Sequence, residues 1–79
     1  MDELKALVEY IGRSLVDDPE TVTVEANRRG QIVVVVLRVP ADEMGKVIGR
    51  EGRIARSLRT LLTISASRRG LRASLDIHE

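Results

Sequence analysis

The chain has no cysteine, no tryptophan and no phenylalanine, and only one tyrosine among its 79 residues. Without cysteine, neither a disulfide framework nor a thiolate metal site can form. With Tyr10 as its single aromatic residue, the chain does not match sheet-based RNA readers, which stack bases on exposed aromatic side chains. We expect Tyr10 to be a partly buried packing residue on the flank of a first helix.

Candidate catalytic groups are equally scarce. The one histidine, His78, is the second-last residue, and no convergent carboxylates are evident in the sequence. Gly45-Lys46 lacks the spacing of a phosphate-binding P-loop. Metal sites and nucleophilic triads therefore have no candidates, and we expect no enzyme, no cofactor and no small-molecule substrate.

Long apolar runs are missing as well. The longest run, Ile32 to Leu37, is far shorter than a membrane span, and Met1-Asp2-Glu3 begins an amphipathic segment without the apolar run of a signal peptide. A chain of this length makes one domain with a small core. Residues 1–79 are therefore expected to be a single soluble, cytoplasmic domain without membrane insertion.

Charge is plentiful, and it is segregated along the chain. Residues 1–45 carry a net charge of −4, whereas residues 46–72 carry +7 with Glu51 as their only acid. A segregated basic segment is typical of a surface that binds a polyanion. A solvated helix face is the alternative, but the positive charge begins at a glycine turn and has almost no acid near it in the sequence.

That glycine turn lies in the octapeptide Val47-Ile48-Gly49-Arg50-Glu51-Gly52-Arg53-Ile54. Its two glycines are three residues apart, between apolar residues, where a short helix ends and an arginine-rich helix begins. A tight turn that opens a helix presents free backbone N–H groups and the positive end of the helix dipole, which attract a phosphate. On the glycines alone, simple helix capping explains the turn equally well; the charge pattern favours nucleic-acid binding.

Hydrophobic periodicity predicts the element order α-β-β-α-α-β and the fold class α+β. A short turn at Arg28-Arg29-Gly30 makes the first two strands antiparallel, and the two intervening helices allow the third strand to pair in parallel with the second. The result is a three-stranded mixed sheet in the order first-second-third, with three helices on one face. The predicted helices cover residues 2–16, 41–48 and 52–67, and the predicted strands cover 21–27, 31–39 and 71–78.

Two surfaces of this arrangement matter for binding. In the third helix, arginines are expected opposite a buried stripe; the stripe consists of Ile54, Ala55, Leu58, Leu61, Leu62 and Ser65. In the central strand, either alternating set of residues could face the helices. If the set from Val33 to Val39 is buried, then Ile32, Val34 and Val36 form an exposed apolar strip, which suggests a partner or a second copy of the chain.

The residues Val47-Ile48-Gly49-Arg50-Glu51-Gly52 resemble the VIGxxG signature of KH domains, and the element order resembles the type II form of that fold. Residues 44–62 closely resemble the small stand-alone bacterial KH proteins of the KhpA family, and the likeness covers essentially the whole chain. One departure is visible: Ala55 stands where the family usually has isoleucine, and Ile54 comes one residue earlier.

The resemblance implies a non-enzymatic protein that holds single-stranded RNA through its GxxG loop, as an RNA chaperone or post-transcriptional regulator. The loop would clamp the backbone of about four nucleotides, and the Glu51 carboxylate within it is expected to weaken the contact. Val47, Ile48, Ile54 and Leu58 would supply the apolar floor of the groove, partly shared with the core. The implied RNA-binding residues are Lys46, Val47, Ile48, Gly49, Arg50, Glu51, Gly52, Arg53, Ile54, Arg56 and Arg59.

The resemblance also implies protein partners. A homodimer is one option, and pairing with a larger Jag-like RNA-binding protein linked to cell-envelope growth and division is another. The alternative function is therefore a protein-interaction or dimerisation module, which is compatible with RNA binding.

Overall fold

The computed structural model describes residues 2–79 and confirms the predicted order of helices and strands. Short 3-10 turns precede the first strand, the second helix and the third helix. Within the described residues, no helix is long and apolar enough to cross a membrane. The helices are α1 (Asp2–Leu15), α2 (Met44–Ile48) and α3 (Arg53–Ser67), and the strands are β1 (Thr23–Arg29), β2 (Ile32–Arg38) and β3 (Arg72–His78).

The sheet has the predicted order, with β2 in the centre. β1 pairs with β2 antiparallel, and β3 pairs with β2 in parallel. The buried set of β2 is Val33, Val35 and Leu37, all fully inaccessible to solvent. This settles the alternative left open by the sequence: Ile32 is exposed on the other face, while Val34 and Val36 are half-buried there.

The helices cover the inner face of the sheet and enclose one core. Leu4 and Val8 of α1 are fully buried, as their helical spacing predicts. From α3, the core receives Leu58, Leu62 and Ala66. The three helices therefore lie on one face of the sheet, and the opposite face of the sheet is open.

Three sequence predictions about packing and boundaries were wrong. Leu61 was expected in the core but is 48% exposed, since the buried stripe of α3 ends instead on Ala66. Tyr10 was expected to be partly buried but is 75% exposed. The first strand runs two residues later than predicted, because Pro19–Thr21 forms a 3-10 turn and the hairpin turns at Gly30, where φ is 59°.

Candidate nucleic-acid interface

The loop between α2 and α3 has a backbone that depends on glycine. Gly49 has φ 76° and ψ 172°, and Gly52 has φ 73° and ψ 17°. A Cβ atom at Gly49 would lie 2.7 Å from Cγ1 of Ile54, closer than real Cβ contacts come. Ile54 therefore packs directly against the backbone of Gly49, which explains why an apolar residue follows the loop.

Two of the four backbone amides of the loop are used in local hydrogen bonds. Gly49 donates its N–H to the carbonyl of Gly45 at 2.9 Å, and Gly52 donates to the carbonyl of Gly49 at 3.1 Å. The N–H of Arg53 donates to the carbonyl of Arg50. Within residues 2–79, the amides of Arg50 and Glu51 have no acceptor. Of the free backbone N–H groups expected from such a turn, the loop therefore offers a ligand those of Arg50 and Glu51.

Beside the loop lies a groove of about 250 Å³ between the start of α3 and the end of β3. Arg56 borders it near Gly52: its Nη1 lies 3.7 Å from where a Cβ of that glycine would be. Arg59 is held in place because its Nε donates a hydrogen bond to the carbonyl of Leu75 at 3.3 Å. The groove is lined by Ile48, Gly52, Ala55, Arg56, Arg59 and Ile77.

The apolar residues expected in the groove floor divide into two groups. Val47 is fully buried and Leu58 is 2% exposed, so both lie in the core beneath the surface. Ile48 is half-buried and lines the groove. Ile54 is also half-buried, but it packs against Gly49. Of these four side chains, Ile48 is the one that the groove exposes.

Lys46 was expected to add charge beside the loop, but its ammonium is paired with acids. Its Nζ lies 2.6 Å from Oδ2 of Asp17 and 3.2 Å from Oε1 of Glu43. Its hydrogen bond to Asp17 raises the pKa of Lys46, although partial desolvation opposes that rise. Glu43 is buried and also accepts the backbone N–H of Asp17 at 2.8 Å. The ion pairs of Lys46 thus connect α2 to the segment that follows α1.

The arginines around the loop differ in how far they are paired. Arg53 lies 3.3 Å from Oε2 of Glu51, and both side chains are largely exposed. An exposed pair of this kind contributes little to stability, but it partly offsets the negative charge of the Glu51 carboxylate. Within residues 2–79, neither Arg50 nor Arg56 has an ion-pair partner, so both guanidiniums are available to a polyanion.

Sequence reasoning missed the contribution of the last strand to the groove. Ile77 lines the groove and the carbonyl of Leu75 holds Arg59 there, although both residues are more than twenty positions from the loop. The alternation of apolar residues in β3 indicated that Ile77 faces the helices. Nothing local indicated that it meets Ile48 and Gly52, since that depends on the parallel pairing of β3 with β2.

Comparison with known proteins identifies this fold. The sequence profile described as "KhpA/KhpB, KH domain" matches residues 5–77. The chain belongs to the KhpA/KhpB family of KH domains. The matched range includes the loop from Gly49 to Gly52 and all the residues that line the groove beside it.

Several curated proteins of the KhpA/KhpB family are similar along their whole length. The chain is 46% identical over 79 residues to "RNA-binding protein KhpA" of Aquifex aeolicus, with both chains covered completely. It is 48% identical over 71 residues to the protein of the same name from Treponema pallidum, covering 90% of this chain and 89% of that protein. The corresponding protein of Halalkalibacterium halodurans is 42% identical over 74 residues, covering 94% of this chain and 97% of the relative.

Solved structures show the same KH fold at low sequence identity. Era of Aquifex aeolicus, bound to GDP and aluminium fluoride, superposes with a TM-score of 0.69 at 13% identity. The match covers 96% of this KhpA/KhpB-family chain and 30% of Era. Era in complex with MgGDPNP and nucleotides 1506–1542 of 16S ribosomal RNA gives a TM-score of 0.66 at 15% identity, covering 95% of this chain and 29% of that one. At these identities the likeness establishes the fold alone.

Proposed function

We propose that this chain binds single-stranded RNA in the groove beside its GxxG loop, as a non-enzymatic RNA chaperone or post-transcriptional regulator. The observation that carries the proposal is the pairing of two free loop amides, at Arg50 and Glu51, with an adjacent groove that combines apolar side chains with arginines. The relatives named "RNA-binding protein KhpA" support the choice of RNA as the ligand.

The two parts of this surface suit the two parts of a nucleotide. A phosphate oxygen accepts hydrogen bonds from the amides of Arg50 and Glu51, and the Arg56 guanidinium beside Gly52 adds a charge-assisted contact. Ribose and base faces lie against Ile48 and the other apolar residues of the groove. Backbone contacts position the strand but carry no sequence information, so we expect modest affinity and weak sequence preference.

The charge in the loop sets how strongly the phosphate is held. The Glu51 carboxylate opposes phosphate, and Arg53 offsets only part of that effect. For a single strand, the logarithm of the binding constant falls by about 0.7 per neutralised phosphate for each tenfold rise in salt. With two to three phosphates held here, the expected slope is roughly −2.

The proposal is tested by the double variant Arg50→Asp with Glu51→Asp. It puts two short acids in the loop and leaves the core untouched, so we expect RNA binding to be lost while the free energy of unfolding stays the same. The matched control is Arg38→Asp with Glu25→Asp, which changes the same residue types by the same charge on the open sheet face, where these two side chains lie 4.0 Å apart. RNA retention in the loop variant equal to that of the control would overturn the assignment.

Self-association is the second candidate function, and exposed apolar side chains on the helices favour it. Leu61 is 48% exposed and Ile64 50%, and with Leu7 of α1 they line a shallow groove of about 620 Å³. Tyr10 follows Leu7 by one helical turn. We propose that two copies associate through this helical surface, in place of the open sheet face considered from the sequence. Two linked RNA grooves would then bind one RNA with higher avidity.

The mass in solution tests this second candidate. Light scattering at high protein concentration should give a dimer for the unaltered chain and a monomer for Leu61→Glu. The control Ile32→Glu places the same charge at a similarly exposed apolar residue on the open sheet face, 53% exposed, and should leave the dimer intact. A monomer throughout leaves this surface to a different protein, such as the larger Jag-like partner.

A further inference from the structure

We propose that bound RNA extends beyond the groove to a second pair of arginines, Arg29 and Arg72, at the opposite end of β3. This distal arginine pair gives the chain a longer RNA footprint than the four nucleotides of a KH groove. The inference rests on the proposed RNA binding and adds a second contact surface to it.

The strand register defines the distal arginine pair. Ile32, the first residue of β2, lies opposite Arg29 on one side and Arg72 on the other. Directly opposed residues point to the same face of a sheet, and neighbouring strands are about 4.8 Å apart. The two arginines therefore flank Ile32 on the open face, with Cα atoms separated by roughly 10 Å.

The side chains of the distal arginine pair and of Ile32 between them suit the binding of a nucleotide. Ile32 is 53% exposed, so it offers an apolar surface to a base or ribose. Arg29 and Arg72 are both exposed, and within residues 2–79 neither forms an ion pair or a side-chain hydrogen bond. Two free guanidiniums on either side of an apolar side chain repeat the combination of phosphate and base contacts proposed for the groove.

The segment that connects the groove to the distal arginine pair contains no acid of its own, although Glu3 of α1 lies 3.5 Å from Arg69 beside it. Residues 52–75 contain six arginines and no aspartate or glutamate. This segment includes all of α3 and the first half of β3, the two elements that run between the groove and the pair. A polyanion that follows them meets no carboxylate from their own side chains.

The spacing fits a continuous strand of RNA. From Ile77 in the groove to Arg72 is five residues of β3, or roughly 17 Å at about 3.3 Å per residue. Stacked nucleotides advance about 3.4 Å each, so about five further nucleotides bridge this distance. Together with about four nucleotides in the groove, the full footprint is about nine.

The negative charges on the open face of the sheet restrict the route that bound RNA can take from the groove to the distal arginine pair. Four residues along β2 from Ile32, Val36 is flanked in the same way by Glu25 and Asp76. These carboxylates oppose a phosphate backbone crossing the middle of the open face. RNA therefore follows α3 and the outer edge of β3, and reaches the open face only at its arginine-flanked end.

An acidic protein surface could also use two free arginines. RNA is favoured because the pair lies within reach of the groove and because the intervening segment is free of acids. A protein ligand would require neither property.

The test compares RNA length in the variant Arg29→Gln with Arg72→Gln. Fluorescence polarisation measures the affinity for oligouridylates of about five nucleotides, which occupy only the groove, and about twelve, which span both surfaces. We expect the variant to bind the five-mer like the unaltered chain and the twelve-mer about tenfold more weakly. Loss of two phosphate contacts should also reduce the salt slope for the twelve-mer by about 1.4.

The control is Arg13→Gln with Arg38→Gln, which removes the same charge from two exposed arginines outside both surfaces. It should change neither affinity by more than a small factor. If the unaltered chain binds neither oligonucleotide, the groove itself is wrong. If it binds both, but the Arg29 and Arg72 substitutions leave the twelve-mer affinity unchanged or weaken both lengths equally, the second surface is overturned while the groove stands.

Discussion

Three glycines around the loop should respond to alanine in three different ways, because only Gly49 is both strained and crowded. Its φ of 76° and ψ of 172° lie in a region essentially restricted to glycine, and an added Cβ would lie 2.7 Å from Ile54. Gly52 is in the left-handed helical region, but nothing lies closer than 3.7 Å to its Cβ position. Gly45 lies within α2, with no atom within 4 Å of a Cβ.

These differences convert to free energies of unfolding. Gly52→Ala should cost about 1–2 kcal/mol, the strain of a left-handed alanine. Gly49→Ala combines backbone strain of about 1–3 kcal/mol with overpacking against Ile54 of about 1–3 kcal/mol, which gives roughly 2–6 kcal/mol. Gly45→Ala should instead stabilise the protein by about 0.5–1 kcal/mol, since alanine loses less backbone entropy on folding. A domain of this size has only about 4–12 kcal/mol in total, so all three effects are measurable.

Urea unfolding followed by circular dichroism gives the three values, provided that the dependence on urea is the same in each variant. The background Ile54→Ala separates the two causes at Gly49. Shortening Ile54 removes its Cγ1 and Cδ1, the two closest atoms, but leaves its Cβ at 3.0 Å and the backbone strain, so Gly49→Ala should cost less in that background than in the unaltered chain. If Gly49→Ala costs no more than Gly52→Ala, or costs the same in both backgrounds, the packing argument is refuted.

Further predictions concern the contacts around the loop. Glu43→Ala should cost about 1–3 kcal/mol because it leaves the N–H of Asp17 without an acceptor, whereas Glu43→Gln keeps an acceptor and should cost less in the same unfolding assay. The folded chain raises the pKa of Lys46 above its ordinary 10.5, so its contribution is present at neutral pH and is lost as the pH rises through the raised value; the stability difference between the unaltered chain and Lys46→Met should shrink there. Glu51→Gln should increase affinity for a five-nucleotide RNA by a few fold, as measured by fluorescence polarisation, because it removes the negative charge beside the phosphate.

The sequence was most informative where local pattern and tertiary packing agree. The spacing of Leu4 and Val8 predicted the buried face of α1, and the apolar run of β2 predicted a central strand. The two loop glycines both have positive φ, the conformation that glycine adopts most readily in a tight turn between helices. In these cases neighbouring residues along the chain decide the outcome.

The predictions were wrong or incomplete where distant residues decide. Leu61 and Ala66 both fit a helical stripe, and which of them is buried depends on how α3 lies against its neighbours. Lys46 belongs to the basic segment by sequence, yet its partner Asp17 lies 29 residues earlier. The role of Ile77 in the groove likewise depends on the pairing of β3 with β2. Charge counts and periodicity contain no information about such contacts between residues that are distant in the sequence.

The parallel pairing of β3 with β2 also determines when, during folding, the groove can form. Ile32 pairs with Arg72, forty residues later, so this contact closes the longest loop in the sheet and is among the slowest to form. Ile77 can line the groove only after that pairing. A ribosome must therefore synthesise β3 before the groove is complete, and the partly made chain carries the loop without its opposite wall. The proposed RNA groove is therefore complete only after β3 has paired with β2.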